Sequence, residues 1–161
     1  PGLDLGIYGT ANVPETHPVV PKAPYARQCL GTMLVTMPMH LLLADDDVRV
    51  RDGLAKLLRR YGFRVETAEN GVAALAEIQQ KPFDAIVSDV RMPFMDGMRL
   101  YERLATDYPE AAQRMVFITG YTDDLNVREF LDITGQPVLT KPFDVVDLVR
   151  AVRAISRPDD A

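Results

Sequence analysis

The sequence predicts an α/β protein, a doubly wound five-stranded parallel sheet with helices on both faces. Three observations predict it. From His40 onward, short apolar runs alternate strictly with longer amphipathic ones. Each short run is cut off by a charged residue or a glycine, and each amphipathic run before the last ends at glycine or just ahead of a proline. Alternation of this kind is joined by right-handed crossovers, which leave the strands parallel and both faces covered.

Taken in order, His40 to Ala44 (HLLLA) is a buried strand halted by three aspartates. Val48 to Tyr61 carries Val50, Leu54, Leu57, Leu58 and Tyr61 at helical spacing, with arginines and Lys56 between them. Gly62 stands where a left-handed residue ends a helix. Phe63 to Ala68 alternates as a strand. Asn70 caps a helix running to about Gln80, which Lys81-Pro82 stops. Phe83 to Ser88 is a strand ending at Asp89, and Gly97 to Tyr108 a helix closed by Pro109. Arg114 to Thr119 is a strand followed by Gly120. Asp123 to Thr134 is a helix ended by Gly135, Pro137 to Thr140 a short strand, and Asp144 to about Ser156 the last helix. With five strands, the order 2-1-3-4-5 of flavodoxin-like sheets follows.

Composition bounds the function. The chain has 161 residues, 47% of them hydrophobic and 25% charged, with a formal net charge of −5. That is the balance of a globular domain with a real core, and its sign argues against a broad grip on nucleic-acid phosphates. Cys29 is the sole cysteine, so neither an internal disulfide nor a cysteine metal cluster forms, which fits a reducing, cytoplasmic setting. No stretch approaches the ~18 apolar residues of a membrane span; the most apolar run, 29–44, is interrupted by Thr32, Thr36, Pro38 and His40. Residues 1–38 hold half of the twelve prolines and show no periodicity. They read as an extended or disordered leader or linker, and Met39 is a plausible natural start. The organisation expected is therefore a leader over 1–38, a folded domain over 39–157 and a tail at 158–161.

In a doubly wound sheet, ligands bind beyond the carboxyl ends of the strands, where the strand order reverses. Asp45, Asp46 and Asp47 follow the first strand, and Asp89 ends the third. Thr119-Gly120 ends the fourth, and Lys141-Pro142 follows the fifth. Carboxylates brought together repel and are pushed toward their neutral forms. A hard cation relieves this, and Mg²⁺ held by one or two carboxylates plus water suits the set. Lys141 adds a positive charge that can pair with a carboxylate or with a phosphoryl oxygen.

The segments LLLADDDVRVRDGLAKLLRRYGF, IVSDVRMPFMDG, VFITG and VLTKPFD together resemble the receiver domain of bacterial two-component response regulators, over nearly all of residues 40 to 157. The resemblance implies a phosphoacceptor domain rather than an enzyme: a signalling module that catalyses only its own phosphorylation and dephosphorylation. It implies Asp89 as the nucleophile that takes a phosphoryl group from phosphohistidine, with Thr119 and Lys141 contacting that group. It implies Mg²⁺ bound by Asp45, Asp46, Asp89 and the backbone carbonyl of Arg91, and a cis bond before Pro142. The implied partners are a sensor histidine kinase or a histidine phosphotransfer domain. A homodimer would form through the fourth helix, fifth strand and fifth helix, with neither nucleic-acid binding nor membrane insertion. The proline-rich leader and the segment FLDITGQPVLTKPFD also look like the carboxyl-terminal receiver of a hybrid sensor kinase.

Departures from the family pattern sharpen other expectations. Val138 stands where the family often has Tyr or Phe, so an aromatic rotamer switch is absent there and the loop 120–124 with its helix must respond without a ring. Arg91 lies at the mouth, either shielding an aspartyl phosphate from water or simply solvated. Asp47 is a lesser candidate for the metal. His17 and His40 read as solvated or structural, Met92, Met95 and Met98 as packing, and Arg49, Arg51, Lys56, Arg59 and Arg60 as a solvated face that can aid kinase docking. Two rival functions are a degenerate receiver that binds partners without phosphate and a Mg²⁺-dependent phosphatase with an aspartyl nucleophile. The phosphatase needs a carboxylate two residues past the nucleophile, where Arg91 stands; the degenerate form lacks part of the acid, threonine and lysine set that is complete here.

Overall fold

The computed structural model describes residues 37–120 and 123–156. The expected leader, apart from Met37 and Pro38, lies outside the described residues, as do His17, Cys29 and the tail. Strands β1 (His40–Ala44), β2 (Arg64–Ala68), β3 (Ala85–Asp89), β4 (Met115–Thr119) and β5 (Val138–Thr140) form one sheet in the order β2-β1-β3-β4-β5. Every pairing is parallel. The helices are α1 (Val48–Arg60), α2 (Gly71–Gln80), α3 (Gly97–Asp107), α4 (Pro109–Ala112), α5 (Leu125–Thr134) and α6 (Val145–Ile155). The predicted fold class and strand order are those observed.

Strand alternation sorts the core into two layers. Leu41, Leu43, Val87, Val116 and Ile118 face Leu54, Leu58, Leu148 and Val152 of α1 and α6. Leu42, Ile86, Met115 and Phe117 face Leu100, Leu104, Val127 and Leu131 of α3 and α5. Because β1, β3 and β4 are covered on both sides, they are almost wholly buried, and this explains why they read as continuous apolar runs. Tyr101, Phe117 and Phe130 form a ring cluster with centroids 5.7–6.0 Å apart, which pins the body of α5 to the sheet.

The boundaries differ from the sequence reading in a few places. Pro109 does not only close α3; it opens the extra turn α4 at the first helical position, where its missing N–H costs nothing. Asp123 is not helical: α5 starts at Leu125 with Asp124 as its cap. Gly62 and Gly135 adopt φ of 89° and 65° after α1 and α5, as a left-handed terminus demands. His40 is structural: its ring lies 4.6 Å from that of Phe83, and Nε2 sits 2.8 Å from Glu66 Oε1.

Candidate functional site

The carboxyl edge of the sheet brings the aspartates that follow β1 and the one that ends β3 beside the residue that follows β5. Asp45, Asp46 and Asp89 each present a carboxylate oxygen, and these oxygens lie within 4.8 Å of one another. Asp45 and Asp89 are buried while Asp46 is exposed. Lys141 closes the group, its Nζ 2.8 Å from Asp89 Oδ2 and 3.3 Å from Asp45 Oδ2. Thr119, buried at the end of β4, accepts the backbone N–H of Lys141 on its carbonyl at 2.8 Å. The Lys141-Pro142 bond is cis. Asp45, Asp46, Asp89 and Lys141 line an open cleft with Val50, Arg91, Met92, Pro93, Asp96 and Gly120.

Electrostatics follow from this crowding. Burial pushes the Asp45 carboxyl above its ordinary pKa, against the hydrogen bond from Asp47 N–H and the charge of Lys141, while the neighbouring Asp89 adds to the rise. Burial works against the charge on Lys141 as well. The hydrogen bond and charge of Asp89, joined by Asp45, outweigh it and carry the lysine above its ordinary value. The carboxylates outnumber the cation that faces them, so the cluster has room for a further positive charge. Its donors are hard oxygens, which fit Mg²⁺ and not a soft metal.

The loop after β3 is held from several sides. Gly97 N–H donates to Val90 O at 3.0 Å, and Gly71 N–H, at the start of α2, donates to Met95 O at 2.9 Å. Met92 is buried in the core, and Met95 and Met98 pack against it, as expected of filler. Phe94, at the tip, takes a left-handed φ of 66° and is 85% exposed.

Four side chains take roles other than those foreseen. Asp47 caps α1, its Oδ1 accepting the N–H of Arg49 at 2.9 Å and of Val50 at 3.3 Å, and it stands outside the carboxylate cluster. Arg51 and Arg59 are not merely solvated: they donate to the carbonyls of Asp45 and Val65 at 2.6 and 2.8 Å, tying α1 to the strand ends. Arg91 is partly exposed but engaged. Its guanidinium pairs with Asp124 at the start of α5. The signal for Asp124 was present, since an aspartate immediately ahead of an amphipathic run is a cap; its pairing with Arg91 is a contact across 33 positions that no local pattern encodes.

Fold and site together define a doubly wound α/β protein whose acidic, lysine-closed centre sits at the topological switch point. The model of the response regulator receiver domain matches residues 41–153, and the chain belongs to that family, the receiver domains of two-component systems. It is 34% identical over 113 residues to the response regulator receiver protein CpdR of Brucella abortus (strain 2308), covering 70% of this chain and 92% of that one. It is 34% identical over 128 residues to the response regulator MprA of Mycobacterium sp. (strain KMS), covering 77% of this chain but 54% of MprA, so it spans about half of that relative. Among solved structures, a response regulator from Chloroflexus aurantiacus J-10-fl superposes with TM-score 0.66 at 31% identity, over 74% of this chain and 98% of that one. A CheY-like receiver domain from Methanospirillum hungatei JF-1 gives TM-score 0.67 at 26% identity, over 74% and 94%. Among the described residues no helix is long and apolar enough to cross a membrane.

Proposed function

We propose that this receiver domain accepts a phosphoryl group on Asp89 from the phosphohistidine of a sensor kinase or histidine phosphotransfer domain, and signals through altered protein contacts. The observation that carries this reading is the convergence of Asp45, Asp46 and Asp89 oxygens within 4.8 Å, with the Lys141 ammonium 2.8 Å from Asp89. A carboxylate oxygen of Asp89 attacks phosphorus in line. The P–O bond forms as the P–N bond breaks, and the imidazole leaves with the N–P electron pair. Such a loose transfer needs an oriented nucleophile and positive charge on the equatorial oxygens. Lys141, already beside Asp89, supplies one such charge, and the Thr119 hydroxyl another hydrogen-bond donor. Mg²⁺, held by Asp45, Asp46, Asp89 and the Arg91 carbonyl, would neutralise the carboxylates and the transferred group.

In this reading the receiver spans 39–157, preceded by a leader or linker and followed by a short tail, and it works in the cytoplasm. It turns over no external substrate and contacts neither nucleic acid nor membrane directly. Its dimer or output face is built from α5, β5 and α6. Val138, half-exposed on β5 and in register with Phe117, provides no aromatic ring on that face.

Intact mass after incubation with acetyl phosphate and Mg²⁺ tests the proposal. A single phosphoryl adduct is expected in the wild type, absent in Asp89→Asn and abolished by EDTA. An equal adduct in Asp89→Asn would overturn the assignment of the nucleophile, and no adduct with any donor would leave the phosphate-independent binding module as the function.

A further inference from the structure

We propose that the Arg91–Asp124 ion pair is the element through which a phosphoryl group on Asp89 is sensed by α5: the guanidinium leaves Asp124 for the phosphoryl oxygens, and the first turn of α5 loosens. The inference rests on the phosphoacceptor reading above and assigns that site a means of output.

Placement is the first support. Arg91 follows Asp89 by two residues, its N–H lies 3.4 Å from Asp89 Oδ1, and it lines the same cleft as Asp89 and Lys141. Among the described residues, a guanidinium on this loop stands between the acidic centre and Asp124. The centre's buried carboxylates are already engaged by Lys141, and Arg91 pairs with Asp124.

The second support is what Asp124 holds. Its Oδ1 accepts the N–H groups of Asn126 and Val127 at 3.0 and 3.3 Å, while Oδ2 takes Arg91. One carboxylate thus fastens the first turn of α5 to the loop that carries the nucleophile. Beyond that turn the helix is secured independently, by Leu131 and the Phe130 ring cluster. Leu125 is 76% exposed and adds little. Release of Arg91 therefore acts on the first turn and leaves the body in place.

The third support is the balance of attraction. The ion pair is partly exposed, Arg91 at 41% and Asp124 at 27%, so water screens it. A phosphoryl group brings about −1.5 to −2 charges and three acceptor oxygens. A planar guanidinium matches phosphoryl oxygens in bidentate fashion. The new partner wins on charge and on geometry.

The test uses the full chain with acetyl phosphate and Mg²⁺, adduct by intact mass, and residue-resolved amide exchange of Asn126, Val127 and Phe130. On the fraction that carries the adduct, Asn126 and Val127 should exchange at least threefold faster than in unmodified protein, with Phe130 unchanged. Asp124→Asn keeps a capping oxygen but lacks the charge; it should form the adduct as the wild type does, with both amides already fast. In Arg91→Ala they should also be fast beforehand and respond to the adduct less than 1.5-fold. Adduct in the wild type with unchanged exchange would overturn this inference and leave the phosphoacceptor reading standing. A full threefold response in phosphorylated Arg91→Ala would overturn it as well, whereas absence of any wild-type adduct would overturn both.

Discussion

A Cβ placed on Gly97 would stand 2.3 Å from the carbonyl oxygen of Asp89 and 3.0 Å from Ser88 Oγ. The first residue of α3 thus rests directly on the backbone of the residue proposed to take the phosphoryl group. Glycine is needed here for close approach, not for a left-handed turn.

Replacing Gly97 with alanine must push the end of β3 or the start of α3 aside. Urea unfolding should show a loss of about 1–3 kcal/mol, the usual cost of overpacking. Adduct formation should slow by roughly tenfold or more, because small displacements of a reacting group are costly. Gly53 provides the contrast, since nothing lies within 4 Å of a Cβ there. Within α1, Gly53→Ala should stabilise the protein by about 0.5–1 kcal/mol.

Magnesium should raise the thermal midpoint of the wild type. A ligand at about a hundred times its Kd stabilises by about 2.7 kcal/mol, and Asp46→Asn should lose most of that. The pH dependence has a definite sign. Burial raises the Asp45 pKa in the fold, so its contribution to metal-free stability is fully present below the ordinary carboxylate range and is lost as pH rises through the raised value. Mg²⁺ binds the ionised form. The stabilisation by Mg²⁺ should therefore grow over that same window and level off above it; an increment constant from acid to neutral pH would contradict the cluster as the binding site.

Asp47 separates capping from metal binding. Asp47→Ala should lower the thermal midpoint and Asp47→Asn leave it nearly unchanged, as for other helix caps. Calorimetry with and without Mg²⁺ should show the same metal increment in both variants as in the wild type. Loss of that increment in Asp47→Asn would return this residue to the metal site.

At the opposite edge of the sheet, Glu66 gathers His40 Nε2 at 2.8 Å and Lys81 Nζ at 2.5 Å. The Lys81 hydrogen bond holds the Glu66 carboxyl below its ordinary pKa against partial burial, with His40 assisting. A depressed carboxylate contributes stability above its unfolded pKa and loses it as pH falls through the folded one. The midpoint difference between wild type and Glu66→Gln should be complete near neutrality, shrink below the ordinary carboxylate range and vanish once Glu66 is protonated. Thermal melts across acid pH measure it directly.

Much of the fold was legible because its signals are local. Burial of β1, β3 and β4 on both faces requires continuous apolar runs, Gly62 and Gly135 answer a backbone requirement of their own position, and Asn70 caps the helix that begins at the next residue. Chain order then confines right-handed crossovers to few arrangements. The candidate site was legible for the same reason: its aspartates, threonine and lysine sit at or just past strand ends, which a parallel sheet collects on one edge.

The sequence by itself determined the strand order, the two core layers and the gathering of acidic residues at strand ends, since each follows from the period of apolar residues or from position along a strand. Only the tertiary structure decided how neighbours divide their work. Asp46 joins the carboxylate cluster while Asp47, one residue on, turns away to cap α1. Arg91 pairs with Asp124 rather than with Asp89. Gly71 and Gly97 are required by backbone that arrives from elsewhere in the chain or from the preceding strand. The physical reason is common to these cases: a short polar side chain, a long guanidinium or a bare glycine is compatible with several environments, and only packing of distant segments selects one.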